Sequence, residues 1–222
     1  MSYLFLHGLG QGPESWSSAA DHLFPSAPVG TVLTPRLSDF LIGQEVTYQN
    51  LYQALCQYCR FLPQPLHICG LSLGAVLALH YAIEHPKEVC SLALIGAQYR
   101  MPKKLLSFQN AVFSLLPQAA FRKMDFEKRD LLSLTTSMAD LDFSHNLKSV
   151  SCPTLILCGE RDKANNKACR DLAQLLPRAR FRQVPGCGHQ VNTESPGQLV
   201  QVLSKFYSRM ACPASESVTL QE

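Results

Sequence analysis

The stretch that decides the fold runs from Pro65 to Ile83 and reads PLHICGLSLGAVLALHYAI. Its first part, Leu66 to Cys69, is a short apolar run that predicts a buried strand. Its last part, Ala75 to Ile83, is apolar nearly all round and predicts a buried helix. Between them stands Gly70-Leu71-Ser72-Leu73-Gly74, in which the serine occupies a sharp strand-to-helix turn and bulkier flanking residues would clash. This pattern predicts that Ser72 is a nucleophile presented at the end of a strand.

Apolar runs and helix-length amphipathic segments alternate along most of the chain. Alternation of this kind is typical of parallel strands joined by right-handed helical crossovers. We therefore predict an α/β fold with a mostly parallel sheet of about six strands flanked by helices. The predicted strands lie at residues 3–6, 31–34, 66–69, 89–95, 154–158 and 180–184.

One segment, from about residue 98 to residue 150, interrupts the alternation. It contains two helical patterns and no strand pattern, and insertions of that size are often functional. We predict one domain over residues 1–210, with this insertion as a small helical cap, and a polar tail over residues 211–222. The apolar side chains of the cap could line a substrate pocket or simply cover the sheet; they include Leu105, Phe108, Phe113 and Leu116.

Composition excludes several classes of protein. The chain has 222 residues, of which 46% are hydrophobic and 17% charged, so it has enough apolar surface for a substantial core. The net charge is +3 and no long run of Lys or Arg occurs, which argues against a nucleic-acid partner. No apolar run reaches the roughly 20 residues that a membrane span needs.

The cysteines indicate a reducing compartment. There are nine, an odd number, and several lie within apolar runs where a thiol behaves as a small hydrophobic group. The first residues also lack the basic region that opens a secretory signal peptide. We therefore expect free thiols and a cytoplasmic location.

The candidate partners of Ser72 follow the last two predicted strands. A serine hydroxyl is a weak nucleophile until a base takes its proton, and that base is commonly an imidazole oriented by a carboxylate. Sites on parallel sheets form at the carboxyl ends of the strands. Asp162 follows the fifth strand and His189 follows the sixth, so we predict Ser72, Asp162 and His189 as the catalytic residues. Glu160 occupies the same loop as Asp162 and remains the alternative acid.

Two backbone amides are candidates for an oxyanion hole. The amide of Leu73 opens the helix after the serine, and that of Leu9 lies in the glycine-rich loop HGLGQG at residues 7–12. We predict that His7 organises this loop through hydrogen bonds. The loop lacks the glycine spacing of a dinucleotide-binding motif. We expect neither a metal nor an organic cofactor.

Four segments together resemble the α/β-hydrolase superfamily, and their order and spacing match as well. They are His7-Gly8-Leu9-Gly10, Gly70-Leu71-Ser72-Leu73-Gly74, the segment at residues 153–162, and Gly186-Cys187-Gly188-His189. The resemblance implies the same triad and the same two oxyanion amides. Members usually have two further strands before the His-Gly loop, so it also implies a reduced sheet that lacks the first two strands.

The resemblance further implies a serine hydrolase that cleaves small carboxylic esters, or thioesters, through an acyl-enzyme. Its partner would be a small-molecule acyl substrate that fits beneath a short cap. Two alternatives stay open: a C–C bond hydrolase or lyase of the same superfamily, and a non-catalytic member that binds a ligand for signalling. Some lyases of this superfamily carry an arginine where Val76 stands, which weakens that option. The oligomeric state is not predicted.

Overall fold

Six parallel strands form one sheet in the computed structural model, which describes residues 2–26, 28, 30–122 and 124–210. The predicted tail at 211–222 lies outside the described residues. The strands stand in the order β2-β1-β3-β4-β5-β6, and all five pairings are parallel. The predicted fold class is therefore confirmed. The strand bounds are β1 Tyr3–Leu6, β2 Val32–Leu33, β3 Leu66–Leu71, β4 Val89–Ile95, β5 Thr154–Gly159 and β6 Ala179–Val184.

Helices cover both faces of the sheet, with a separate hydrophobic cluster on each side. One cluster contains residues of α2, α3 and α6, and the other contains residues of α1 and α8. Ten of the twelve residues of α3 are buried, as its uniformly apolar sequence predicts. The helix bounds are α1 Ser17–Leu23, α2 Tyr48–Arg60, α3 Leu73–Glu84, α4 Lys103–Leu115, α5 Lys128–Ser137, α6 Lys163–Leu175, α7 Val191–Glu194 and α8 Pro196–Tyr207.

Two helices, α4 and α5, lie between β4 and β5 in the segment that the sequence predicts to be a small cap, and they contact each other. An antiparallel bridge between Arg100 and Asp142 joins the two ends of the segment. Because its ends meet in this way, the insertion leaves the sheet and returns to it at nearly the same place. We propose that residues from about 98 to 150 form a cap inserted into a single domain over residues 1–210.

The cysteines depart in one respect from the expectation of free thiols. Cys90, on β4, is disulfide-bonded, so the prediction is wrong for this residue. Its apolar surroundings, which suggested a buried thiol, do not distinguish a thiol from a disulfide. Free thiols are present at Cys56, Cys59, Cys69, Cys152, Cys158, Cys169 and Cys187. Within the described ranges, no helix has the length and apolar character required to span a membrane.

A buried histidine on β3 makes the stability of the fold depend on pH. His67 is 1% exposed, its Nδ1 lies 2.7 Å from the Ser91 hydroxyl, and its ring stacks on Tyr3. Burial lowers the pKa of His67 to about 4, whereas an unfolded histidine has a pKa of about 6.5. Between these values the unfolded chain binds a proton that the folded chain does not, so stability falls as the pH falls.

We expect protonation of His67 in the unfolded chain to lower the free energy of unfolding by about 2 kcal/mol as the pH falls from 7 to 5. Urea unfolding of the wild type and of His67→Gln at both pH values measures this contribution. The variant should lose that much less stability on acidification, whatever its stability at pH 7. An equal loss in both proteins would contradict the assignment.

Candidate active site

Ser72 occupies a strained turn between β3 and α3. Its φ is 54° and its ψ is −111°, and it alone among the described non-glycine residues has a positive φ. A Cβ atom on Gly70 would lie 2.2 Å from the Gly74 carbonyl oxygen, and one on Gly74 would lie 2.1 Å from that of Leu6. Both flanking positions therefore require glycine, for the reason that the sequence pattern predicts. Strain of this kind is characteristic of functional turns.

Asp162 and His189 are joined by a short hydrogen bond. The Nδ1 atom of His189 lies 2.7 Å from Oδ2 of Asp162, whose side chain is 4% exposed. Asn165 donates to the same carboxylate from its side-chain amide at 2.9 Å and from its backbone at 3.3 Å. Burial raises the pKa of Asp162, but the hydrogen bonds and charge of His189 and the bonds from Asn165 outweigh it and hold the pKa below its usual value.

The ionised Asp162 determines which histidine nitrogen carries the proton. A carboxylate can only accept hydrogen bonds, so Nδ1 of His189 is the donor. The other nitrogen, Nε2, is then unprotonated in the neutral ring and can act as a base. Asn165 completes this arrangement, and sequence reasoning missed it, although its position in the first turn after an Asp N-cap is a usable signal.

Glu160, the alternative acid, contacts a different part of the same loop. Its Oε2 accepts a hydrogen bond from the Gly186 backbone at 2.7 Å. The carboxylates of Glu160 and Asp162 thus bind different residues of the loop that carries His189. Only that of Asp162 is hydrogen-bonded to the imidazole.

All five residues predicted for the site line one cavity of about 350 Å³: Leu9, Ser72, Leu73, Asp162 and His189. The segment between β4 and β5 contributes Leu106 and Gln109 from α4, Thr135 from α5, and Met138, which directly follows α5. A larger cavity of about 830 Å³ lies at the opposite ends of β4, β5 and β6 and contains none of the five. Cavity size alone would therefore not select the cavity that the predicted residues line.

The loop that carries Leu9 is held by hydrogen bonds at both ends. The Gln11 amide donates to the Gly8 carbonyl at 3.1 Å, which closes a tight turn around Leu9. His7 is fully buried; its Nε2 accepts from the Leu37 backbone at 3.2 Å, so its Nδ1 carries the proton and donates to the Gly8 carbonyl at 3.0 Å. These contacts support the predicted organising role of His7.

A carboxylate from the cap segment also contacts this loop. Asp125 lies 3.4 Å from His7 Nε2 and accepts hydrogen bonds from the backbone and hydroxyl of Ser38 and from Arg36. Burial raises its pKa, but the contact with His7 and the hydrogen bonds from Ser38 outweigh that effect and hold the pKa below the ordinary value. The sequence contains no local signal for Asp125, because its hydrogen-bond partners Arg36 and Ser38 lie 89 and 87 residues earlier in the chain and His7 lies earlier still.

Gly96, at the end of β4, is a second residue that sequence reasoning missed. Its φ is +59°, and a Cβ there would lie 2.9 Å from Cε1 and 3.0 Å from Nδ1 of His189. The imidazole therefore sits directly against the backbone of this glycine. Only a residue without a side chain allows that approach, so Gly96 helps to determine the position of the His189 ring.

We expect Gly96→Ala to displace His189 and to slow the reaction of Ser72 with a fluorophosphonate by roughly 100-fold. The matched control is Gly186→Ala, because Gly186 has a φ of +64° but no atom within 4 Å of the added Cβ. Each variant should lose about 1–2 kcal/mol to backbone strain, measurable by urea unfolding. Equal labelling rates in the two variants would refute a steric role for Gly96.

The part of the chain that the structure describes contains no group of three or more His, Cys, Asp or Glu side chains placed to hold a metal ion. The polar groups that line the cavity are the hydroxyl, imidazole and carboxylate of the predicted residues, the backbone near Leu9 and Leu73, and the side chains of Gln98, Gln109, Thr135 and Asn165.

Comparison with known proteins agrees with this architecture. The model of the "Alpha/beta hydrolase family" matches residues 3–202. The chain is 22% identical to a monoacylglycerol lipase, ABHD6, of Bos taurus, over 92% of this chain and 74% of the lipase. It is 26% identical to a pimeloyl-[acyl-carrier protein] methyl ester esterase of Aromatoleum aromaticum, over 84% of this chain and 90% of the esterase.

The fold is also similar to solved structures. A putative lipase from Acinetobacter baumannii superimposes with a TM-score of 0.76 at 22% identity, over 94% of this chain and 84% of the lipase. Identity at that level speaks for the fold alone. The family model, in contrast, matches nearly the whole described chain from β1 into α8. This protein therefore belongs to the alpha/beta hydrolase family.

Proposed function

We propose that the protein is a serine hydrolase that cleaves small carboxylic esters, with thioesters as a second class of acyl donor. One observation carries this proposal: the strained Ser72 and the hydrogen-bonded pair of His189 and Asp162 line the same small cavity. A nucleophile, a base and an orienting acid form a set of groups that carries out acyl transfer through an acyl-enzyme. The names of the lipase and the methyl ester esterase above also point to ester substrates.

In the proposed reaction, Nε2 of His189 takes the proton of Ser72 as the hydroxyl oxygen attacks the ester carbonyl. The carbonyl oxygen becomes negative, and the amides of Leu9 and Leu73 donate to it. His189 then protonates the departing alcohol, or thiol, and the acyl group stays on Ser72. Water repeats the sequence with His189 as base and releases the acid. Asp162 keeps the imidazole in the required tautomer and stabilises its protonated form.

The cavity favours a small substrate. Its volume of about 350 Å³ lies near the lower end of the range for small-molecule sites. Apolar groups of Val76, Leu106 and Met138 form part of its wall, while Gln98 and Gln109 add polar groups. A short acyl chain could pack on the first set, and the amide groups could bind a polar alcohol or acid end.

Most of the apolar cap residues considered from sequence do not form this wall. Phe108 is 68% exposed and Leu116 is 38% exposed, and Phe113 packs edge-on against Phe121. The side chain of Leu105 is not among those described. The apolar residue of α4 that lines the cavity is Leu106, one position away from the predicted set. Helix periodicity alone does not tell which of two apolar faces is turned inward.

The test is turnover of p-nitrophenyl esters from acetate to octanoate, together with the matching thioesters and a vinylogous diketone. The proposal predicts saturable ester cleavage with a preference for short acyl chains. Cleavage of the diketone alone would identify a C–C bond hydrolase. Tight binding of a ligand with neither turnover nor fluorophosphonate labelling of Ser72 would identify a non-catalytic member.

A further inference from the structure

The helical turn α7 begins two residues after His189 and carries two polar side chains that contact different parts of the site. We infer that this single turn positions the base and the oxyanion loop together, with Glu194 and Asn192 as positioning residues. The inference rests on the proposed function, because it concerns how His189 and Leu9 are held for that reaction. Neither Glu194 nor Asn192 belongs to the proposed triad or to the oxyanion pair.

Glu194 binds the backbone on both sides of the histidine. Its Oε2 accepts from the Gly188 amide at 2.7 Å, and its Oε1 accepts from the Gln190 amide at 3.1 Å. A Cβ on Gly188 would lie 2.8 Å from each carboxylate oxygen, so the glycine permits the approach. Each oxygen thus holds one of the two amides that flank His189. Charge-assisted bonds of this kind are about twice as strong as neutral ones.

Asn192 makes a reciprocal pair with Gln11 of the oxyanion loop. Each side-chain amide donates to the other's carbonyl oxygen at 3.1 Å, and both residues are buried. Oε1 of Gln11 also accepts from the Gly8 amide at 3.3 Å, next to Leu9. The pair therefore connects the loop of Leu9 to the turn after His189, across 181 residues of sequence.

These contacts act on backbone and not on substrate, which defines the expected kinetic signature. Loss of either should misplace a catalytic group without removing a contact to the bound ester. The rate of the chemical step should then fall while KM changes little. A residue that matters only for folding would instead lower the amount of active enzyme in proportion to stability.

The first test compares Glu194→Gln with Glu160→Gln. A glutamine at 194 offers one acceptor instead of two, so one amide beside His189 loses its partner. Glu160 also accepts a loop amide, that of Gly186, but this amide does not adjoin His189. We expect kcat for a p-nitrophenyl ester to fall roughly 10- to 100-fold in Glu194→Gln, with KM within about twofold. Glu160→Gln should retain kcat within about threefold, because the amide that Glu160 binds belongs to Gly186 and does not flank His189.

A second readout separates this inference from the proposed function. The proton on Nδ1 of His189 bonds to Asp162 and should give a downfield NMR signal in the resting protein, with or without turnover. Glu194→Gln should weaken or broaden this signal, and Glu160→Gln should leave it in place. An unchanged signal and an unchanged labelling rate in Glu194→Gln would overturn the inference. An inert wild type with the predicted NMR difference would overturn only the proposed function.

The Asn192–Gln11 pair is tested by removing first one partner and then both. Gln11→Met removes the donor to Oδ1 of the buried Asn192 and leaves its amide nitrogen only the bond to the Ser15 carbonyl, so it should lower both stability and kcat. Adding Asn192→Leu replaces the second partner by an apolar group of similar shape, which should recover much of the stability. The positioning role predicts that kcat stays low in the double variant. Recovery of kcat together with stability would show that the pair serves the fold alone.

Discussion

Replacing Ser72 by alanine is expected to lower ester turnover by roughly 10⁴-fold or more and to abolish fluorophosphonate labelling. The hydroxyl is the group proposed to form the covalent bond, and alanine offers nothing to take its place. The strained backbone is retained, because alanine at φ 54° carries a similar penalty to serine. Loss of activity therefore cannot be ascribed to a collapsed turn if the variant unfolds in urea like the wild type.

Labelling gives this experiment its decisive readout. A fluorophosphonate reports on an activated serine whatever the natural substrate is, so the result does not depend on the choice of ester. Mass spectrometry of the labelled peptide should locate the adduct on Ser72. A label on another serine, or equal labelling of the variant, would refute the proposed nucleophile.

Replacing Asp162 by asparagine is expected to lower kcat by roughly 10⁴-fold while leaving the geometry nearly intact. Asn165 donates to both carboxylate oxygens, so an amide at position 162 must present a donor either to Asn165 or to His189. If the donor meets Nδ1 of His189, the ring proton moves to Nε2, where the base needs its lone pair. The imidazole would then hold the wrong tautomer for catalysis.

The matched control for Asp162→Asn is Glu160→Gln, which makes the same chemical change at the neighbouring carboxylate. It should retain activity, because Glu160 bonds to Gly186 and not to the imidazole. A larger loss of kcat in Glu160→Gln than in Asp162→Asn would make Glu160 the functional acid. Comparison of the two pH–rate profiles then shows which carboxylate governs the base.

Asp162→Asn should also change the response of the fold to acid. The pKa of Asp162 lies below its unfolded value of about 3.9, so its ionised form stabilises the fold at neutral pH. That contribution is present above the unfolded pKa and is lost as the pH falls through the lower, folded pKa. The variant lacks it throughout, and urea unfolding at pH 7 and in acid measures the difference.

Most of the secondary structure can be predicted from the sequence, because it depends on local patterns of apolar residues. All six strands and the two cap helices were predictable from apolar periodicity, with boundaries displaced by a few residues. The strand before Ser72 is longer than the sequence pattern predicts, since Gly70 and Leu71 continue β3 to the turn. Glycine has a low propensity for strands, but Gly70 is required at this position because the backbone of Gly74 packs closely against it.

The exceptions share a physical cause. The disulfide at Cys90 and the choice of Leu106 for the cavity wall each depend on which parts of the chain meet in space. A cysteine in an apolar run has the same sequence signature whether it is bonded or free. An apolar helix residue has the same periodicity whether it faces a cavity or the sheet.

By itself the sequence determines which side chains stand at the ends of the strands. Ser72, Asp162 and His189 follow β3, β5 and β6, and parallel strands bring all their carboxyl ends to one edge of the sheet. Only the tertiary structure decides that Asp162 rather than Glu160 meets the imidazole, and that Asn192 meets Gln11. Hydrogen bonds between distant segments act over about 3 Å and depend on the folded path of the chain, so they leave no periodic trace in the sequence.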